Sequence, residues 1–149
     1  MRIYLACTVR GSRAGVVVAR VIAERLRTLG HEILTSHLLV DDVERAEGAV
    51  TEGEVYERDR GWLDECHALV AEASGSSYGV GFEVGYVTGR AAATGQRVFV
   101  LYDAARRDQV SRLVSGFSTA HGATCAYESL DQVEAFIDRH FGPAVESVP

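Results

Sequence analysis

Arg2-Ile3-Tyr4-Leu5-Ala6-Cys7, running on into Thr8-Val9-Arg10-Gly11-Ser12-Arg13, is the stretch from which the fold can be read. A short apolar run breaks into a polar Gly/Ser turn. Residues 15–29 then bring Val18, Ile22, Leu26 and Leu29 onto one helical face, and Gly30 follows where a helix stops. Outward from this unit, strand and helix patterns keep alternating. A short strand is expected at 32–35, a long acidic loop at 37–53, a helix at 54–66 and a strand at 67–72. A Gly/Ser loop at 74–79 leads into a helix at 80–94, stopped by Gly95. Strand 97–102, a short helix at 108–115, strand 124–127 and an amphipathic helix at 130–141 complete the order, ended by Gly142-Pro143. Such alternation implies an α/β fold: a Rossmann-like open parallel sheet of five strands in the order 2-1-3-4-5, with helices on both faces. Ligands of such sheets bind beyond the carboxyl ends of the strands, where the order reverses. Here that edge holds the loop after strand 1, His37 after strand 2, and residues 74–83 after strand 3.

The 149 residues suit one domain, expected over 1–143, with 144–149 as a frayed tail. With 47% hydrophobic and 24% charged residues, the chain can bury a full core. Neither a signal peptide nor a bilayer-length apolar run is visible, so a cytoplasmic location and no membrane association are expected. Cys7, Cys66 and Cys125 are widely spaced and odd in number, which argues against a disulfide framework and for buried thiols. Net charge is −6, and the 15 basic residues, all Arg, form no stripe, which disfavours nucleic-acid binding. A small anion needs only one or two placed Arg side chains and some backbone N–H groups.

Three segments carry candidate chemistry. In the loop 8–13, small residues let the backbone approach an anion at a helix start, and Arg10 can grip a phosphate with two hydrogen bonds. A plain polar loop with a solvated Arg fits that segment equally well. Gly79-Val80-Gly81-Phe82-Glu83-Val84-Gly85 only superficially suggests a dinucleotide fingerprint. Its spacing is one residue too long, an acid sits in its middle and it follows strand 3, so NAD and FAD are discounted. Its distinctive member is Glu83, expected in the first turn of a helix, where the dipole favours a carboxylate. A fixed, ionised carboxylate beside a sugar-sized cleft is what a glycosyl nucleophile requires. By itself, however, such a Glu more often just complements the dipole. Asp59, in Glu57-Arg58-Asp59-Arg60-Gly61-Trp62-Leu63, is by itself a surface acid, His37 a packed or surface His, and Tyr4 a core tyrosine with its hydroxyl satisfied. His31, His67, His121 and His140 share no ligand spacing, so no metal site is assigned.

Taken together, three pieces resemble the 2′-deoxynucleoside 5′-phosphate N-hydrolase family, a branch of the nucleoside 2-deoxyribosyltransferase superfamily. They are Tyr4-Leu5-Ala6-Cys7-Thr8-Val9-Arg10-Gly11, then Asp59-x-x-Trp62-Leu63, and then Ala71-Glu72-x-Ser74-x-x-Ser77-x-Gly79-Val80-Gly81-Phe82-Glu83-Val84-Gly85. The resemblance implies that 1–143 is a catalytic domain, with Glu83 as nucleophile and Asp59 as the second carboxylate, assisting leaving-group protonation. Tyr4 positions the sugar and the nucleophile. Thr8, Arg10, Gly11, Ser77 and Gly79 form the phosphate end, and His37 lines the base end. Ser111 corresponds to a serine lent by the neighbouring subunit, which implies a homodimer.

The expected reaction is hydrolysis of the N-glycosidic bond of a (2′-deoxy)nucleoside 5′-monophosphate through a glycosyl ester on Glu83, without metal or organic cofactor. Close alternatives are a ribonucleotide hydrolase of the CMP type, as in nucleoside-antibiotic pathways, and a nucleoside 2-deoxyribosyltransferase. Outside enzymes, the alternative is a nucleotide-binding sensor, which would not need both carboxylates.

Overall fold

Apolar runs of five to seven residues, hydrophobic on both faces, line up as a parallel sheet in the computed structural model, which describes residues 1–9, 12–43, 45 and 48–143. The strands are β1 (Arg2–Ala6), β2 (Glu32–Ile33), β3 (Ala68–Glu72), β4 (Arg97–Asp103) and β5 (Gly122–Tyr127). Their order is β2-β1-β3-β4-β5 and every pairing is parallel. Around them lie α1 (Val16–Thr28), α2 (Glu52–Glu65), α3 (Tyr78–Thr94), α4 (Arg112–Ser115) and α5 (Leu130–Phe141). Fold class and strand order are as expected from the sequence.

Alternation along the strands divides the core into two layers. Ile3, Leu5, Val70, Phe99 and Leu101 pack against Ile22 and Leu26 of α1 and Val133 and Ile137 of α5. Tyr4, Ala6, Leu69, Ala71, Val98 and Val100 face Leu63 of α2 and Val80, Val84 and Val87 of α3. The period of two therefore places Tyr4 under α2 and α3. Arg25 grips Asp138 with two hydrogen bonds, at 2.6 and 2.7 Å, tying α1 to α5. Gly30 (φ 82°) and Gly95 (φ 75°) end α1 and α3 in the left-handed region, as their positions in the sequence suggested.

Several boundaries differ from expectation. The second helix starts at Glu52 because Thr51 and Glu54 form a reciprocal capping box. The segment expected as one long loop contains a 3-10 turn over Ser36–Leu39. α3 starts at Tyr78, capped by Ser77, so Glu83 stands in its second turn and not its first. Of the expected helix at 108–115 only Arg112–Ser115 is α-helical, after a 3-10 turn at Ala104–Arg106. Cys7 and Cys66 are buried, but Cys125 is only partly so. The supposed tail, 144–149, lies outside the described residues. Among the described residues no helix is long and apolar enough to cross a membrane.

Candidate active site

The loop after β1 and the turn after β3 meet at the carboxyl edge of the sheet because residue 75 has no side chain. A Cβ there would overlap the Thr8 hydroxyl and crowd the Ser12 carbonyl. Beside this junction opens a cavity of about 820 Å³, within the usual range for small-molecule sites. One wall is the turn Gly75-Ser76-Ser77 with the start of α3. A stripe along α2, formed by Glu52, Val55, Tyr56 and Asp59, also lines the cavity. Their spacing of three, four and seven residues puts them on one helical face. Leu38 and Val50 contribute further apolar lining.

Glu83 reaches this cavity from α3, half-buried. The hydroxyl of the wholly buried Tyr4 donates to its Oε1 at 2.6 Å. Asp59 faces the same space from α2 and accepts from Arg58 Nε at 2.8 Å, while the Arg58 guanidinium lies over the Trp62 ring at 5.1 Å. Burial raises the pKa of Glu83 to about 7; the Tyr4 hydrogen bond pulls it down and the Asp59 charge pushes it up. The support expected from a helix start is thus outweighed by the cost of burial. A second-turn position weakens the dipole, and desolvation prevails. Burial, followed by the charges of Glu83 and Asp59, drives the Tyr4 phenol far above its ordinary value, so it stays protonated and donates. The grouping is two carboxylates with a fixed donor on one of them, beside a turn rich in backbone N–H groups.

The other expected site residues are distributed unevenly. Ser77 and Gly79 line the cavity, and the Ser77 hydroxyl also accepts from the Val80 N–H as the α3 cap. Thr8 is buried, and its hydroxyl has no hydrogen-bond partner among the described residues. His37 packs its ring against Trp62 at 5.5 Å, while its neighbour Leu38 forms cavity wall. Ser111 is exposed as the cap of α4, outside the cavity. Arg10 and Gly11 lie outside the described residues. The sequence reading missed Glu52, Val55 and Tyr56. The signal that could have found them was Thr51-x-x-Glu54, which moves the start of α2 upstream and extends the Asp59 face.

Comparison with known proteins accords with this geometry. The family model described as nucleoside 2-deoxyribosyltransferase matches residues 3–134. A Thermofilum pendens protein named as a 2′-deoxynucleoside 5′-phosphate N-hydrolase is 35% identical over 138 residues, 93% of each chain. The 5-hydroxymethyl-dUMP N-hydrolase of Danio rerio is 29% identical over 142 residues, covering 95% of this chain and 96% of that one. The solved structure of Clostridium botulinum CMP N-glycosidase superposes with a TM-score of 0.65 at 15% identity, covering 94% of this chain and 99% of that one; that likeness concerns the fold. With the family model spanning both the strand that carries Tyr4 and the helix that carries Glu83, the chain belongs to the nucleoside 2-deoxyribosyltransferase family.

Proposed function

We propose that this chain hydrolyses the N-glycosidic bond of a nucleoside 5′-monophosphate, with 2′-deoxyribose preferred, through a covalent ester on Glu83. The observation that carries the proposal is the Tyr4–Glu83 hydrogen bond of 2.6 Å in a cavity shared with Asp59 and the turn before α3. The names of the full-length relatives, which describe nucleotide N-hydrolases, support it. Tyr4 holds Oε1, and Oε2 of the ionised Glu83 attacks C1′. The C1′–N bond breaks as the C1′–O bond forms, and the base leaves with a solvent proton relayed by Asp59. In the second step water adds to C1′, its proton passes through Asp59 back to solvent, and Glu83 is released as carboxylate. Both carboxylates stabilise the positive charge that develops on the sugar.

Thr8, Arg10, Gly11, Ser77 and Gly79 are assigned to the 5′-phosphate. His37, whose neighbour Leu38 lines the cavity, is assigned to the base end. Phosphate binding far from C1′ orients the sugar for attack.

A panel of ribo- and deoxyribonucleoside monophosphates, scored for free base and sugar 5-phosphate by chromatography, tests the proposal. Wild type should release both from at least one deoxyribonucleotide and act far more slowly on the matching nucleoside. If a second free base is incorporated into new nucleotide, the chain is a transferase. If no substrate is cleaved, the proposal fails. Arg10→Ala should raise the nucleotide KM about 10–100-fold and leave the nucleoside unaffected. Equal effects on both would remove Arg10 from the phosphate end.

Ser111 enters the site from a second copy of the chain. Leu113, 87% exposed beside it, and the fully exposed Tyr78 would be covered in that dimer. Sedimentation should give a dimer, and Leu113→Asp should yield monomers with weakened nucleotide binding. A monomeric wild type with full activity would exclude the lent serine.

A further inference from the structure

We infer that Glu72 is a positioning residue for the phosphate end of the cavity: a carboxylate inserted from β3 that fixes both the start of α1 and the Ser/Gly turn before α3. This rests on the reading of that turn as the 5′-phosphate site.

Glu72 ends β3 and is 1% exposed, yet it lies outside the cavity and the reaction scheme above does not use it. A buried carboxylate is costly unless its oxygens are satisfied. Its Oε1 accepts from the hydroxyls of Ser74 and of Tyr127, the latter at 2.8 Å. Ser74 Oγ in turn accepts from the Asp103 N–H at 2.8 Å, at the end of β4. One carboxylate oxygen thus joins the carboxyl ends of β3, β4 and β5.

The other oxygen, Oε2, occupies the space a Cβ of residue 15 would need, so only glycine admits it. Gly15 immediately precedes α1, a helix with no side-chain cap and no acidic residue in its first turn. Helix starts leave N–H groups unpaired and carry partial positive charge. Glu72 brings to this helix start an acidic side chain, which its own first turn lacks. Burial raises the Glu72 pKa, and the two hydroxyl donors and Arg106 oppose that rise.

What Glu72 holds is what the phosphate would touch. Ser74 begins the turn that carries Ser77 and Gly79, and Gly75 of that turn abuts Thr8. The outer edge of the turn is held separately, by the Ser76 hydroxyl on the Gln109 carbonyl. With its own carboxylate at the start of α1, the chain also leaves the turn before α3 as the place for a ligand anion.

Glu72→Gln keeps size and one acceptor but removes the acidic group and can turn an NH2 group toward the start of α1. We expect KM for the nucleotide, and the calorimetric Kd for deoxyribose 5-phosphate, to rise about 10-fold, with kcat within about 3-fold and kcat/KM for the nucleoside unchanged. Tyr127→Phe removes one donor and should shift the same two quantities about 3-fold, so the test survives if Glu72→Gln fails to fold. Equal losses on nucleotide and nucleoside, or unchanged KM and Kd with only a lower Tm, would overturn the role. If wild type cleaves no nucleotide, the proposed function falls instead, and the Kd comparison still decides the role of Glu72.

Discussion

Glu83→Gln is expected to lower base release from the preferred nucleotide by at least ~10⁴-fold, a loss of about 5 kcal/mol of transition-state stabilisation. An amide cannot form the glycosyl ester, yet it matches the carboxylate in shape and can still accept from Tyr4, so the fold should persist. Thermal melts can show that the loss is chemical. The folded-state pKa of Glu83, about 7, lies above the value of an unfolded glutamate. The fold therefore favours the protonated form of Glu83 more than the unfolded chain does. The stability tied to it is complete below the unfolded pKa of roughly 4.5 and is lost as pH rises through about 7. The variant keeps a neutral group at every pH, so its Tm should exceed that of wild type at pH 8 and approach it at pH 4. Turnover near the wild-type rate would reject Glu83 as nucleophile. An inactive variant that melts below wild type at pH 8 would contradict the burial cost assigned to the ionised side chain.

Asp59→Asn should lower kcat about 10²–10³-fold on natural nucleotides, the usual scale for losing a proton-transfer group. The defect should shrink on a sugar phosphate with an activated phenol leaving group, which departs without a proton. The pH profile supplies a second, independent readout. The free enzyme attacks with ionised Glu83, so kcat/KM should fall as pH drops through about 7. The Asp59 charge contributes to that raised pKa, and its removal should move the acidic limb to lower pH. Tyr4→Phe should move the limb the other way, because the Tyr4 hydrogen bond favours the ionised carboxylate. An unmoved limb in both variants would mean that neither group senses Glu83. A rate loss as large on the activated substrate as on the natural one would remove Asp59 from leaving-group protonation.

The architecture was legible because its signals are local. Continuous apolar runs such as Ala68–Glu72 announce a strand buried on both faces, and Ile22 and Leu26 announce a helix stripe. Crossovers between parallel strands leave few possible orders, and 2-1-3-4-5 followed. Boundaries set by side-chain caps were less legible. Thr51 with Glu54, and Ser77 with the Val80 N–H, lengthened two helices upstream and carried Glu83 from a first turn to a second. The candidate carboxylates could be singled out only by comparing whole motifs, since a Glu near a helix start and an Asp among arginines have commoner meanings in isolation.

The chain alone specified a parallel α/β sheet, the edge at which a ligand would sit and the residue types gathered there. It could not specify the state of those residues. The pKa of Glu83 depends on being buried beside Tyr4, 79 positions away in the chain, and near the Asp59 charge on another helix. The function of Gly15 emerges only when a carboxylate from β3 fills the space where its side chain would be. Hydrophobic periodicity is written along the chain, whereas desolvation and close approach depend on distances between segments that only the packed structure brings together.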